Sequence, residues 1–331
     1  MGRYHVAVVG ATGAVGHEFL KVLDQRNFPL KSLKLLASKR SVGKTLKFKG
    51  ETLQVEELTE DSFKGMDIAL FSAGASRSRD FAPHAVKNNC IVIDNSSAFR
   101  MTSGVPLVVP EVNPQDIKTH KGIIANPNCS TIILLMGIYP IHKLSPIQRI
   151  IVSTYQAVSG AGVQGINELM DQSKNVLADK DTVNDVFPHQ IAFNLFSHDT
   201  PINDLGYNTE EMKMVNEVRK ILHKPDMKIT ASCVRVPIVR AHSESVNLEL
   251  EKKLSLDDVR QAIDEFDGAK VVDDREKNYF PMPMDADGQD DVLVGRIRYD
   301  LSSENGLALF IAGDQILKGA ALNAVQIAEL L

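Results

Sequence analysis

Residues 4–16 read Tyr4-His5-Val6-Ala7-Val8-Val9-Gly10-Ala11-Thr12-Gly13-Ala14-Val15-Gly16, and this stretch decides how the chain folds. The run from Val6 to Val9 is continuously apolar and β-branched, as in a strand buried on both faces of a parallel sheet. Gly10 ends it. Val15, Phe19, Val22 and Leu23 then recur at helical spacing. Between strand and helix lie three glycines in a GxxGxxG pattern. They permit a tight turn, a close approach of the backbone to a ligand, and close helix–sheet packing.

Working outward, the same alternation repeats. Apolar runs at 33–37, 68–72 and 91–94 read as buried strands, and 76–88 reads as a helix between the last two. Strands alternating with helices predict a doubly wound α/β sheet of the Rossmann type. Beyond about residue 130 the texture changes. Strands are expected at 150–155, 231–239, 245–250 and 293–300, with amphipathic helices at 163–177 and 210–222. Long strands beside helices predict an α+β second domain with a mixed or antiparallel sheet. The boundary falls at 128/129, the second domain at 129–312. Residues 313–331, ending in a helix over 319–331, are expected to rejoin the first domain.

The glycine turn is a relative of the dinucleotide fingerprint. Gly10, Thr12, Gly13, Ala14, Val15 and Gly16 would cradle the pyrophosphate against free N–H groups at the helix start. A purely structural turn is the alternative. NAD sites carry an acidic residue about 20 positions further on, for the ribose 2′-hydroxyl. Here Ala37-Ser38-Lys39-Arg40-Ser41 has none. Ser38, Arg40 and Ser41 suit a 2′-phosphate, so NADP is favoured over NAD; the other reading is a solvated basic loop. Ser72, Ala73 and Gly74, at the end of a later strand, face the same crevice in this architecture.

The 331 residues carry a net charge of -5 and 44% hydrophobic side chains, enough for a sizeable core and without the basic surplus that nucleic acid requires. No secretion signal is visible, and Met1-Gly2 does not complete a myristoylation motif because position 6 is Val6. The apolar run at 132–141 is too short to cross a bilayer. Three scattered cysteines, Cys90, Cys129 and Cys233, argue against a disulfide framework or a metal site and for a reducing cytoplasm.

Cys129 lies in Asn126-Pro127-Asn128-Cys129-Ser130-Thr131. Pro127 disfavours helix at Asn126, and the apolar run after Cys129 favours it. A thiol at a helix N-terminus has its thiolate favoured by the helix dipole. Alone, such a cysteine more often serves simple packing. Beside a nicotinamide site, it suggests aldehyde oxidation through a covalent thioester.

GATGAVG (10–16), SAFR (97–100), VPEVN (109–113), NPNCST (126–131), TYQAVSGAG (154–162), FPHQIAFN (187–194), EVRKIL (217–222), RVPIVRAHSESV (235–246) and GDQILKGAALNAVQ (313–326) occur in order. In these the chain resembles the aspartate-semialdehyde dehydrogenases over essentially its whole length. The resemblance implies a reversible conversion of L-aspartate 4-semialdehyde to L-4-aspartyl phosphate with NADP and inorganic phosphate. It belongs to the aspartate pathway to lysine, threonine, methionine and isoleucine, uses no metal, and is carried out by homodimers or homotetramers.

The resemblance also implies roles. Cys129 is the nucleophile, His242 the general acid/base and Gln156 the residue that orients the intermediate or a water. Arg235 holds the substrate carboxylate, Glu217 the amino group, and Lys220 and Arg100 the phosphate. Asn128 lies beside the thiol, Ser159 and Gly160 lie near the nicotinamide, and Asn323 bonds its carboxamide. Read from the residues alone, Glu217 and Lys220 would be a solvated ion pair on one helix face, and Gln156 a surface residue. Two alternatives remain beside this one. N-acetyl-γ-glutamyl-phosphate reductase has a related fold, but its cysteine motif carries Gly before and Tyr-Pro after. A non-catalytic NADP-binding sensor would have lost part of the catalytic set.

Overall fold

The structure, a computed structural model, describes residues 3–331, so the Met1-Gly2 pair lies outside it. The chain forms two compact units. One runs to Asn128 and takes up Ala320–Leu331, and the other is Cys129–Gly319.

In chain order the first unit contains β1 (Tyr4–Val9), α1 (Ala14–Gln25), β2 (Leu30–Ala37), β3 (Thr45–Phe48), β4 (Glu51–Glu57), β5 (Ile68–Phe71), α2 (Ala75–Lys87), β6 (Ile91–Asp94) and β7 (Ile123–Ala125). The described residues form one sheet in the order β3-β4-β2-β1-β5-β6-β7. All neighbours are parallel except the β3–β4 hairpin. Without β3, this is the strand order of dinucleotide-binding folds, reversing direction between β1 and β5. The doubly wound architecture expected of 4–16 is borne out. The hairpin was not anticipated, because Thr45, Lys47, Glu51 and Gln54 break any apolar run. Residues 30–32 also escaped notice: Lys31 and Ser32 are exposed, so β2 starts before its apolar part.

The cause of the tight β1 turn is visible in the backbone. Gly10 has φ 88°, and a Cβ there would lie 2.2 Å from the Ser72 carbonyl oxygen. The end of β1 therefore touches the end of β5 where the strand order reverses. Below them Leu36, Phe63, Phe71 and Val92 form a closed apolar core.

The second unit contains α3 (Cys129–Leu144), β8 (Ile147–Gln156), α4 (Val163–Leu177), β9 (Phe196–Ser197), α5 (Thr209–Ile221), β10 (Lys228–Arg235), β11 (His242–Leu250), α6 (Leu256–Asp264), β12 (Ala269–Val271), α7 (Pro283–Ala286), β13 (Val292–Tyr299) and β14 (Gly306–Gly313). Its sheet has the order β12-β13-β14-β11-β8-β10-β9 and mixes parallel and antiparallel pairs, as expected. The central helix α3 is apolar all round and packs against α5, α6 and the strands, so no face is left polar.

Two boundaries differ from the sequence reading. The strand expected over 231–239 ends at Arg235, because Pro237 has no N–H for a ladder. Residues 313–331 are not one helical return to the first unit. Gly313 ends β14, a π-type turn spans Leu317–Leu322, α8 covers Asn323–Glu329, and the first unit resumes only at Ala320. Apolar spacing over 320–331 gave no sign of where the helix geometry changes. Within the first unit α8 is clamped to α1 by the bidentate Arg26–Glu329 pair, at 2.8 and 2.7 Å.

Gly10→Ala tests the β1–β5 contact. The added methyl meets backbone and forces a positive φ, so a loss of at least about 2 kcal/mol is expected, read from the urea midpoint. A variant within about 0.5 kcal/mol of the parent would show that the turn can relax.

Candidate active site

The register of β11, β8 and β10 places the candidate chemistry in rows. Ser243 pairs with Tyr155 and Glu244 with Thr154 across β11–β8, while Gln156 pairs with Arg235 and Thr154 with Cys233 across β8–β10. His242 therefore falls opposite Gln156. His242, Gln156 and Arg235 form one buried row on the face covered by α3, and Glu244, Thr154 and Cys233 form the next. The third row, Val246, Val152 and Ala231, is apolar.

Cys129 opens α3 and its Sγ lies 3.5 Å from His242 Nε2. The other ring nitrogen is fixed: the Ala157 N–H donates to His242 Nδ1 at 3.0 Å. Because Nδ1 accepts, the proton of neutral His242 sits on Nε2 and points at the sulfur. Burial, then the Arg235 charge, push the imidazolium pKa down to about 3. The neutral ring thus presents an Nε2–H that stabilises negative charge on sulfur or on an adjacent oxygen.

Gln156 is equally constrained. Its amide N–H groups donate to Ser130 Oγ at 2.8 Å and to Glu210 Oε1 at 3.1 Å, and its Oε1 is buried without a partner. Arg235 donates from Nη1 to the Ala157 carbonyl and from Nη2 to His198 Nε2, both at 2.9 Å. Its Nε–H is buried and has no acceptor among the described residues. An orphaned guanidinium N–H beside the reaction row is a ready hydrogen-bond donor for a carboxylate. Gly160 stands over this space: a Cβ there would lie 3.5 Å from Arg235 Nη1 and 3.7 Å from His242 Cε1.

Glu210 and Lys213 were missed. Asn208 and Glu211 form a capping box at the start of α5, and Glu211 also accepts the Cys233 N–H at 3.0 Å. That pins the first turn of α5 to β10 and delivers Glu210 to Gln156, with Lys213 paired to Glu210 at 2.8 Å. Glu217 and Lys220 lie on the same helix about 10 Å further along its axis, at 1.5 Å per residue. The Asn-x-x-Glu capping signal in 208–211 could have located the helix start. Ser130 and His198 carried no spacing signal at all, since each acts through tertiary contacts.

The remaining expected residues lie in the first unit, apart from Ser159. Gly13 caps α1 without any side-chain hydrogen bond, and α1 has no acid in its first turn, so its end suits an anion. Thr12 Oγ1 lies 3.3 Å from Ser41 Oγ; Ser41 is buried, Ser38 half-buried and Arg40 exposed. Ala14, Val15 and Gly16 form the opening of α1. Ser72 and Ala73 are half-buried after β5, and Gly74 caps α2. Arg100 is buried and donates to the Asn126 and Asn95 carbonyls at 2.9 and 2.7 Å. Asn128 is buried at the end of the unit. Asn323 Nδ2 donates to the Val108 carbonyl at 3.0 Å and to Asn126 Oδ1 at 2.6 Å. Ser159 Oγ accepts from the Gln315 amide within the second unit.

Two family models cover the chain: the semialdehyde dehydrogenase NAD binding domain over residues 5–120 and the semialdehyde dehydrogenase dimerisation domain over 138–318. The aspartate-semialdehyde dehydrogenase of Synechocystis sp. is 56% identical over 98% of this chain and 96% of its own. The chain belongs to the aspartate-semialdehyde dehydrogenase family. The Aquifex aeolicus member is 52% identical over 99% of this chain and 98% of its own. The crystal structure of aspartate semialdehyde dehydrogenase II complexed with ASA from Vibrio cholerae matches with TM-score 0.97 at 45% identity, covering 100% of this chain and 98% of that one. Aspartate-semialdehyde dehydrogenases are oxidoreductases, and both the enzyme class and the two-part fold expected from the sequence are borne out. The reductase with Gly before its cysteine is thereby set aside, as is the non-catalytic sensor.

One buried group lies outside the reaction row. Glu244 is wholly buried with neither carboxyl oxygen hydrogen-bonded among the described residues, and burial raises its pKa well above the ordinary value. The raised pKa fixes the sign. Below the unfolded value of about 4.3 both states are protonated. Above it the unfolded chain gains by ionising, so Glu244 costs increasing stability as pH rises toward its folded pKa. Glu244→Gln lacks that linkage. The variant should equal the parent near pH 4 and exceed it by about 1–3 kcal/mol at pH 8 in urea denaturation. Parallel pH profiles for the two proteins would refute this account.

Proposed function

We propose that the chain interconverts L-aspartate 4-semialdehyde and L-4-aspartyl phosphate, using NADP and inorganic phosphate, through a thioacyl intermediate on Cys129. The observation that carries this reading is the Cys129 Sγ–His242 Nε2 contact, with the His242 tautomer fixed by Ala157.

The chemistry follows from the placement of the groups. Cys129, as its thiolate, adds to the aldehyde carbon, and the His242 Nε2–H donates a hydrogen bond to the oxyanion that forms. The Gln156 amide, held by Ser130 and Glu210, faces the tetrahedral centre. Arg235 takes the substrate carboxylate through its unused N–H groups, and Glu210 takes the amino group, the role first given to Glu217. Lys213 replaces Lys220 as the cation for incoming phosphate. A bound nicotinamide would supply the hydride acceptor, while the His242 Nε2–H keeps its hydrogen bond to the oxygen as the tetrahedral carbon becomes a thioester. Phosphate then attacks the thioester, and Cys129 departs as thiolate, leaving the acyl phosphate. In biosynthesis the sequence runs backwards, towards lysine, threonine, methionine and isoleucine.

The residues of the first unit fit the cofactor. The uncapped start of α1, the Gly10 approach that excludes a Cβ, and the absence of an acid after β2 suit pyrophosphate and a 2′-phosphate on Ser38, Arg40 and Ser41. A related enzyme of Candida albicans, crystallised with NADP, matches with TM-score 0.74 at 25% identity. The roles of Arg100 and Asn128 toward phosphate, and of Ser159, Gly160 and Asn323 toward nicotinamide, rest on the family resemblance. Asn323 already spends its amide N–H groups inside the first unit. A homodimer through the second unit accords with the matched dimerisation domain and with Ile151 and Tyr155 exposed on the sheet face opposite α3. Free thiols accord with the cytoplasm.

NADP reduction by aspartate semialdehyde should depend on inorganic phosphate. No phosphate-dependent signal would overturn the assignment. Cys129→Ala should abolish turnover yet bind NADP, and His242→Asn should lower kcat by about 10²–10⁴-fold. Arg40→Ala should raise the KM for NADP far more than that for NAD; equal changes would remove the 2′-phosphate contact from this loop.

A further inference from the structure

We propose that His198 is a positioning residue for Arg235: its neutral imidazole accepts from the guanidinium and aims the remaining N–H groups at the substrate carboxylate. The proposal rests on the reading of Arg235 given above.

The geometry is specific. His198 follows the short edge strand β9, and its backbone N–H donates to the Cys233 carbonyl at 2.8 Å, which fixes the ring next to the end of β10. Arg235 Nη2 lies 2.9 Å from His198 Nε2, so Nε2 must offer a lone pair and the ring proton must sit on Nδ1. Nδ1 faces Asp199 Oδ1 at 3.6 Å and Thr200 Oγ1 at 3.4 Å, which suits that tautomer. The Ala157 carbonyl holds Nη1 from the other side, and the Phe187 ring lies 5.4 Å below Arg235 Cζ. The guanidinium is thus held by two hydrogen-bond acceptors and a ring face, with Asp199 Oδ1 3.8 Å from Nη2, and its Nε–H has no partner among the described residues.

An imidazolium cannot play this part. Protonated Nε2 would set donor against donor and cation against cation. The charged or titratable groups around the ring are Arg235 on β10, Glu210 and Lys213 on α5, His242 on β11, and Asp199 beside it. Burial outweighs the acids and keeps the ring neutral at ordinary pH. Loss of the grip therefore belongs to the acid side, below about pH 6.5.

The test uses the full-length enzyme with aspartate semialdehyde, NADP and phosphate, comparing His198→Leu and His198→Gln. Glutamine keeps an acceptor that does not protonate; leucine keeps bulk only. His198→Leu should raise the KM for the semialdehyde about 10–100-fold, with a smaller change in kcat and unchanged NADP binding. His198→Gln should recover most of the KM and lose the acid rise in KM that the parent shows. If both variants match the parent, or both are impaired alike, the positioning role is wrong. Should His198→Leu not fold, the pH profile of His198→Gln against the parent decides alone: an unchanged acid limb overturns the proposal. Arg235→Leu separates the two readings. If it leaves KM unchanged, the carboxylate assignment of Arg235 fails first; if it raises KM while the His198 variants do not, only the His198 proposal fails.

Discussion

The hydrogen bond from the Ala157 N–H to His242 Nδ1 is the constraint on which the rest of the second unit's chemistry depends. A free imidazole can place its proton on either nitrogen. A backbone donor on one side leaves a single choice, and the Nε2–H then faces Cys129. The donor is itself fixed, because Ala157 follows directly on β8 while the next two residues donate to the Ile238 and Val239 carbonyls at 2.8 and 3.2 Å. Those carbonyls are in place because Pro237 ends β10 and turns the chain toward β11. A proline that merely stops a strand thus contributes to the tautomer of a histidine.

Burial gives these contacts their weight. His242, Gln156, Arg235 and Glu210 are all nearly inaccessible, so charges act across a low effective dielectric and each unpaired group is costly. Among the described residues every polar side-chain atom of this row is matched except Gln156 Oε1 and Arg235 Nε. The row beneath differs. Glu244 and Thr154 also leave atoms unpaired there, and Cys233 is a thiol whose pKa burial drives up beyond the usual range. The polar layer between reaction row and apolar core is therefore carried largely in neutral form.

The sequence made the first unit legible because local physics and tertiary structure agree there. Short β-branched runs bounded by glycine turns favour buried parallel strands, and glycines at fixed spacing have few other uses. Cys129 and His242 were reachable through ordered motifs. Glu217 and Lys220, carried over from the resemblance, show the limit, because it is Glu210 on the same helix that reaches Gln156. Glu210/Lys213 and Glu217/Lys220 share the same spacing on the same helix, so periodicity cannot choose between them. What chooses is where α5 begins, and Glu211 sets that by capping its own helix and binding Cys233 on β10. His198 was invisible for a related reason: its function resides in the direction of one lone pair.

The segment after β14 is tied to the site on several sides. Gln315 Oε1 accepts the Ala241 N–H at 2.8 Å, and its amide donates to Ser159 Oγ. Ala241 has φ 68°, an unfavourable conformation for a residue with a Cβ. The bond from Gln315 helps hold it there, immediately before His242. Asp314 accepts from Arg240 at 2.7 Å and from the N–H groups of Ile316 and Leu317 at 3.1 Å, which starts the π-type turn. That turn brings Gly319 against the nucleophile: a Cβ at 319 would lie 3.0 Å from Cys129 Cβ. One short segment therefore backs the thiol, the residue before the histidine and the turn at 158–161 together. The Gly319 N–H donates to the Asp314 carbonyl at 2.9 Å, a five-residue step of the π type, and this sets Gly319 where it packs on Cys129.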